Sequence, residues 1–285
     1  MPDFGIFRSF GEKLFGDKLV AGQLPTQLGL NSSYIDADAT AFFLRITAAG
    51  GVYSSTEMMA INQLVLDMKS AGIWTAMKAI YPMIGASAAA CSQNLKSSSF
   101  TGTFTSGWTF SSTGVTTNGS STYFDTNLNP RVIFASNFAS FGVYLRNTNS
   151  SGTNISGVCD SAILNRFDLG YDGGVTTPFV AVSANTSTVS IDTDNKGFLI
   201  ATRQGSSLTK LFRNNVLKVT GSDFITVAPI YNFYFGARNL AGVPQYLTNN
   251  QNIAFGFIAD GLSDSQSANF YTAVQAFQTS LSRQV

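Results

Sequence analysis

The residues that could carry chemistry are few and unevenly placed along this 285-residue chain. The sequence has no histidine, and its only two glutamates, Glu12 and Glu57, both lie before residue 58. From Pro82 onward, proton transfer near neutral pH would fall to Asp, Tyr, Lys and two cysteines. Without histidine a Ser-His-Asp triad is impossible, and most general acid–base mechanisms are disfavoured. We therefore predict that the protein is not an enzyme and has no catalytic residue.

Two short acidic segments are the remaining candidates for carboxylate chemistry. The first contains Asp168 and Asp172, and the second contains Asp192, Asp194 and Asn195. A glycosidase needs two carboxyl groups, one of them with a raised pKa. Glycines and Asx residues around both segments are typical of turns, and we interpret them as turns. A polysaccharide-degrading activity that depends on Asp168 or Asp172 is the less favoured alternative.

The second acidic segment also offers oxygen atoms to a metal ion. Asp192, Asp194 and Asn195 supply the clustered hard ligands that calcium prefers. Asp and Asn side chains cap turns without any metal, so a solvated turn is favoured and calcium is the alternative. No cofactor is predicted.

Aromatic residues beside amides and carboxylates indicate where a sugar could bind. The candidate glycan-binding residues are Tyr171 with Asp172, and Tyr246 with Asn249 and the neighbouring Asn250. Aromatic rings provide a flat apolar surface, and the polar neighbours provide hydrogen bonds. The alternative is that these tyrosines are half-buried in strands or in a subunit contact, because the chain has 24 Phe and 10 Tyr.

Composition and length limit the class of protein. Charged residues make up 12% of the chain and the formal net charge is +1, which argues against both disorder and a nucleic-acid partner. Cys91 and Cys159 do not form a disulfide framework, and we expect free, buried thiols. The N-terminus lacks the features of a signal peptide, so we expect synthesis in a cytoplasm.

The first 34 residues combine short apolar residues with glycines. Phe4, Phe7, Phe10 and Phe15 are the candidate anchors of an arm that becomes ordered when it docks on another chain. Two alternatives are an extension packed on its own domain and an in-plane membrane helix with basic residues on its polar side.

Residues 35–84 are expected to form an α-helical hairpin. Asp36 and Asp38 can cap and favour the first turn of one helix, and Gly50 ends it. The second helix begins at Ser54, whose spacing from Glu57 is that of a capping box. We interpret residues 72–82 as a linker to the next segment.

From residue 85 to 262 the hydrophobic period changes from near four to two. The predicted strands cover 100–104, 108–111, 123–126, 132–136, 141–146, 179–183, 197–202, 207–213, 231–237 and 252–258. An Asn-Asn turn joins two strands of a hairpin at 211–217. Short strands without intervening helices predict a mainly β protein, an antiparallel jelly-roll sandwich. A last helix over 263–285, in which Ser263 and Gln266 have the spacing of a capping box, is expected to pack on the sandwich.

Two stretches resemble known families. The first covers about residues 35–125 and is carried by Gly72-Ile73-Trp74, by Met77-Lys78-Ala79-Ile80-Tyr81-Pro82 and by Gly107-Trp108-Thr109-Phe110. It resembles structural proteins of phages that infect Bacteroidota, the crAss-like group included. The second, residues 253–262 with the terminal helix, is similar to the closing strand of concanavalin A-like lectin/glucanase sandwiches.

These resemblances imply a virion surface protein. We expect a spike, head-fibre or tail-fibre subunit, anchored to capsid, vertex or tail proteins by residues 1–34. Its jelly-roll head would face outward and contact a host surface glycan. The resemblance further implies a homotrimer. The alternative is a purely architectural decoration subunit that binds no ligand.

Overall fold

The computed structural model describes residues 35–134, 138–148, 154–160, 165–172, 177–181, 187–188, 194–204, 208–221 and 227–285. Within these residues the protein is mainly β, with two packed sheets, a helical layer and a C-terminal helix. The predicted fold class is confirmed for this part of the chain. The arm predicted over residues 1–34 lies outside the described residues, and the division of the chain into four segments stays a prediction.

Three longer helices form the helical layer. They are α1 (Ala37–Ala48), α2 (Ser55–Ser70) and α5 (Asp264–Ser280), and two one-turn helices, α3 (Ala88–Cys91) and α4 (Pro130–Ile133), lie between them in sequence. The predicted caps are confirmed: Asp36 accepts a hydrogen bond from the Asp38 amide, and Ser54 with Glu57 forms a capping box. Ser263 and Gln266 form the second capping box, at the start of α5. No helix among the described residues is long and apolar enough to cross a membrane.

Seventeen strands are described. In chain order they are β1 (Met77–Tyr81), β2 (Thr103–Phe104), β3 (Thr109–Ser111), β4 (Gly114–Asn118), β5 (Phe124–Asp125), β6 (Ala139–Leu145), β7 (Asn154–Cys159), β8 (Arg166–Asp172), β9 (Thr177–Ala181), β10 (Ser187–Thr188), β11 (Gly197–Arg203), β12 (Thr209–Arg213), β13 (Val216–Gly221), β14 (Tyr234–Phe235), β15 (Arg238–Leu240), β16 (Val243–Gln245) and β17 (Asn249–Asp260).

The first sheet, called the covered sheet below, has eight strands in the order β13-β12-β11-β6-β17-β4-β3, with β1 also paired to β17. The twelve-residue β17 organises it, because one edge pairs with β6 while the other pairs with β4 and then with β1. The second sheet, called the outer sheet below, has nine strands in the order β10-β9-β8-β7-β14-β5-β2, with β15 and β16 attached beside β7.

The hydrophobic residues form two cores, one on each face of the covered sheet. Phe141 of the covered sheet stacks at 5.8 Å on Phe167 of the outer sheet, which marks the core between the sheets. On the opposite face, Phe198 and Phe257 meet Phe270 of α5 at 5.2 and 4.7 Å. The protein therefore has three layers: helices, covered sheet and outer sheet.

The structure corrects two predicted elements. The expected linker over 72–82 contains strand β1, whose Ile80 pairs with Phe257 inside the covered sheet. Residues 132–136 were expected to be a strand, but Pro130–Ile133 is a helical turn because Pro130 fixes its first position and Asn129 caps the Arg131 amide. Residues 135–137 lie outside the described residues.

Two local predictions are confirmed. The β12–β13 hairpin turns through Asn214 and Asn215, with φ of 48° and 63°, as a tight hairpin turn requires. Both cysteines are free and buried. Burial raises the pKa of the Cys91 thiol to about 12 and that of Cys159 to about 11.

Candidate functional site

Three strands of the outer sheet meet at Gly157 of β7. Asp168 of β8, Tyr234 of β14 and Arg238 of β15 are all register partners of Gly157. A Cβ atom at Gly157 would clash with the Asp168 carboxylate, so only glycine leaves room for the side chains gathered there. This polar face of the outer sheet, opposite the core, is the candidate site.

A buried ion pair lies at the centre of the site. Arg238 Nη1 is 3.3 Å from Asp168 Oδ2, and the two side chains are 8% and 0% exposed. Arg238 Nη2 also donates to Gln245 Oε1 at 3.4 Å, while Arg238 Nε has no hydrogen-bond partner within the described part of the chain. Removing two charges from water is costly, and their mutual attraction offsets that cost only while both partners are present.

Tyr246 covers this ion pair. Its ring centroid lies 4.4 Å from Arg238 Cζ, within the range of a cation–π contact. Tyr246 is nevertheless 52% exposed, and its φ of +54° is uncommon for a residue other than glycine. The ring is thus held against the guanidinium with much of its surface open to solvent.

A second pair of rings belongs to strand β14 and the residue before β5. Tyr123 and Tyr234 stack with centroids 4.6 Å apart and an interplanar angle of 20°. Asp125 pairs with Tyr234 across the strands, and Asn232 donates to Asp125 Oδ2 at 3.3 Å. Burial, Asp125 and Tyr123 raise the pKa of Tyr234 to about 12, so its hydroxyl keeps its proton at neutral pH.

This arrangement is suited to recognition and poorly suited to acid–base catalysis. An exposed aromatic surface beside amide and carboxylate groups can stack on a sugar ring and bind its hydroxyls. Asp168 is fully buried and ion-paired with Arg238, so its carboxylate is not available to a substrate in solution.

The sequence-predicted glycan residues are distributed over two places. Tyr246 lies on Arg238, and Asn249 is the first residue of β17, where it pairs with Asn118. Tyr171 and Asp172 lie at the end of strand β8, paired with Pro178 and Thr177. The segment of Asp168 and Asp172 is therefore a strand, and the turn predicted there is wrong.

The other predicted sites are only partly described. Phe4, Phe7, Phe10 and Phe15 lie outside the described residues, as does Asp192 of the calcium candidate. Asp194 accepts hydrogen bonds from the Lys196 amide and the Thr148 hydroxyl, and Asn195 is buried. Although burial acts to raise it, the pKa of Asp194 is lowered by these hydrogen bonds. No cluster of three potential metal ligands occurs among the described residues.

Sequence reasoning missed Arg238, Tyr123 and Tyr234 as members of the site. The last two fall in predicted strands, and their alternation with Phe124, Phe233 and Phe235 could have placed them on the face opposite the core. Arg238 could not be found in this way, because its meeting with Asp168 depends on a strand order that joins residues 70 positions apart.

Comparisons with known proteins bear on the fold of this chain. No protein-family model matches the sequence, and no curated protein is significantly similar to it. Among solved structures, the binding domain of botulinum neurotoxin serotype D is 13% identical with a TM-score of 0.52, over 72% of this chain and 52% of that one. The chain thus spans about half the length of the toxin structure.

Two further solved structures are more distant. Domain 4 of AbnA, a GH43 extracellular arabinanase from Geobacillus stearothermophilus in complex with arabinotriose, is 16% identical with a TM-score of 0.48, over 68% of this chain and 98% of that one. The CBM40 of Ruminococcus gnavus IT-sialidase bound to sialyllactose is 14% identical with a TM-score of 0.37, over 46% of this chain and 81% of that one. Because these identities are low, the likeness to the toxin binding domain shows only the fold, which is a β-sandwich.

Proposed function

We propose that this protein is a non-enzymatic glycan-binding subunit whose ligand lies over Tyr246 on the outer sheet. The observation that carries the proposal is the Tyr246 ring, half exposed at a positive φ and held by the buried Arg238. A sugar presents an apolar C–H face that packs on such a ring at little entropic cost, because the ring is already fixed.

Polar groups beside Tyr246 and beside the stacked pair Tyr123 and Tyr234 support the same ligand class. Gln245 offers an amide beside the ring, and Asp125 and Asn232 offer oxygen and nitrogen atoms at the Tyr123–Tyr234 stack. All three are only partly buried, so they are reachable from solvent. Hydroxyl groups of a sugar both donate and accept hydrogen bonds and can use each of these groups.

The particle context of this subunit rests on the sequence resemblance. We place the protein at a virion surface, as a spike or fibre subunit with an outward sandwich and with Phe4, Phe7, Phe10 and Phe15 as the anchors of its arm. Three copies would present three sites, and such multivalency converts weak single-site binding into strong attachment. An architectural decoration subunit would share the arm and lack the glycan.

The glycan site is tested by probing a glycan array with the full chain, with Tyr246→Ala and with Leu217→Ala. Leu217 is an exposed apolar residue of the β12–β13 hairpin and serves as the matched surface control. We expect the wild type and Leu217→Ala to bind the same glycans and Tyr246→Ala to lose about tenfold or more in affinity, since stacking contacts contribute about 1–2 kcal/mol. Equal binding by all three proteins would contradict the site, and no binding by the wild type would leave the architectural function.

The arm is tested separately by deleting residues 1–30. We expect the truncated protein to keep its thermal unfolding transition and its glycan binding while it no longer joins assembled particles. The measurement is co-sedimentation with particles, with full-length protein as the control. Undiminished incorporation of the truncated protein would contradict the anchoring role.

A further inference from the structure

A cavity lies in the helical layer, and Tyr246 is not among the residues that line it. It is a cleft of about 470 Å³, a size typical of small-molecule sites. The start of α2, the loop at 85–87, the β3–β4 turn and the residues after α5 form its walls. We call it the hydroxyl cleft because serine and threonine side chains from all four elements line it.

Three of these hydroxyls are available to a ligand. Thr56 of α2, Ser112 of the β3–β4 turn and Ser282 after α5 are exposed, and their hydroxyls make no hydrogen bond to other described residues. They come from elements far apart in sequence and converge only in the folded protein. Val52 and Leu281 add apolar surface between them.

Among the described residues that line the cleft, Glu57 is the only charged one, and it is already engaged in hydrogen bonds. Its Oε2 accepts from the Ser54 amide at 2.7 Å and from the Ser54 hydroxyl at 3.0 Å, and its Oε1 accepts from the Gly85 amide at 2.8 Å. The capping box satisfies the amides of Ser54 and Glu57, and the Glu57 carboxylate at the start of α2 weakens the usual attraction of a helix N-terminus for an anion. The cleft therefore favours a neutral ligand.

The loop at 85–87, which forms one wall of the cleft, is held in place by the rest of the protein. Gly85 has a φ of +75°, and a Cβ there would clash with the Val52 carbonyl oxygen. Buried Arg283 donates to the carbonyl oxygens of Met83 at 2.9 Å and Pro82 at 3.1 Å, directly before this loop. A preformed site loses little conformational entropy on binding.

We propose that the hydroxyl cleft binds a neutral polyhydroxylated ligand of mono- or disaccharide size. Thr56, Ser112 and Ser282 hydrogen-bond the sugar hydroxyls, and Val52 and Leu281 pack on its apolar face. This is a second saccharide site, and it does not depend on the proposed site at Tyr246. Its ligand comes either as a free sugar or as the end of a glycan chain.

Saturation-transfer NMR titrations of the full chain test this site. The probes are glucose, galactose, mannose and N-acetylglucosamine as free sugars and as the terminal units of short oligosaccharides. We expect at least one probe to bind. The double variant Thr56→Val, Ser112→Ala should bind it about thirtyfold more weakly, since two hydrogen bonds are lost and each contributes about 1 kcal/mol.

Two control variants separate the hydroxyl cleft from other sites. Ser55→Ala removes an exposed hydroxyl of the same helix that does not line the cleft, and it should bind like the wild type. Tyr246→Ala removes the proposed platform on the outer sheet, and the double variant is compared again in this background, where the saccharide binding that remains belongs to the hydroxyl cleft. Preference for the oligosaccharide end over the free sugar would identify a glycan terminus, and the reverse would identify a free sugar. Absence of binding by every probe, or unchanged affinity in the double variant, would overturn the proposal.

Discussion

The covered sheet and the outer sheet differ in what lies on the face that each turns away from the core between them. In the covered sheet, β6 and β11 are buried at all seven positions each, because helices pack on one face and the outer sheet on the other. In the outer sheet, β8 places Phe167 and Leu169 in the core while Asp168 lies on the other face. The second face of the covered sheet packs on helices, whereas the second face of the outer sheet carries the ion pair of Arg238 with Asp168 and the half-exposed Tyr246 on top of it.

The two sheets also differ in the types of residue at their centres. The ion pair of Arg238 with Asp168 and the positive φ of Tyr246 lie on the outer sheet. The centre of the covered sheet is instead filled by aromatic residues such as Phe198, Phe255 and Phe257, which pack edge to face with one another and with α5. We assign recognition to the outer sheet.

The largest expected effect of a single substitution is in the covered sheet. Phe198 is 1% exposed and contacts Phe255, Phe257 and Phe270. Phe198→Ala should lower the free energy of unfolding by about 3–5 kcal/mol, because it removes buried apolar surface and leaves a cavity. Denaturant unfolding measures this, with exposed Leu217→Ala as the control, for which a change within about 0.5 kcal/mol is expected. A similar small loss in both variants would mean that the helices do not depend on this core.

A loss of unfolding free energy of similar size is expected at the ion pair of the outer sheet, and a second substitution should recover most of it. Arg238→Met removes a cation from the buried Asp168 carboxylate and should cost about 3 kcal/mol in unfolding free energy. The double variant Arg238→Met, Asp168→Leu should recover most of that loss, because an apolar pair replaces the ions. Chemical denaturation of the single and double variants provides the measurement. Additive losses in the double variant would show that the two side chains are not energetically coupled.

The smallest effect near neutral pH is expected from Cys91. Burial raises the pKa of its thiol from 9.0 to about 12 in the folded protein, so above pH 9 the unfolded chain releases this proton first. The contribution of Cys91 to stability is therefore complete below pH 9 and is lost as the pH rises toward 12. Unfolding free energies measured from pH 7 to 11 should fall less steeply in Cys91→Ala than in the wild type. Parallel curves would contradict the burial of this thiol.

Much of the fold follows from local sequence patterns. The capping boxes at Ser54 and Ser263 and the Asn214-Asn215 turn depend on neighbours within a few residues, and all three occur where they were predicted. Strand β1 was missed because the segment from Met77 to Tyr81 follows a helical hairpin directly. Its pairing partner in β17 begins more than 170 residues later, and no local pattern encodes that pairing.

The candidate site was predictable only in part, for the same reason. Tyr246 stands out in the sequence as an aromatic residue among turn residues and amides. The ion pair beneath its ring forms because the strand order places Arg238 and Asp168 on either side of Gly157, and that order cannot be read from the local sequence. Asp168 was assigned to a turn because glycine and aspartate around it are typical of turns, whereas here Asp168 lies in a strand and Gly157 of the neighbouring strand makes room for its side chain.

The most direct test of the central claim is hydrogen–deuterium exchange of the full chain with and without the glycan that binds most tightly on the array. We predict slower exchange in residues 234–246 and 123–125 of the outer sheet, and we predict that Tyr246→Ala removes this protection. Protection confined to the helical layer, or no protection in either region, would contradict the assignment of recognition to the outer sheet.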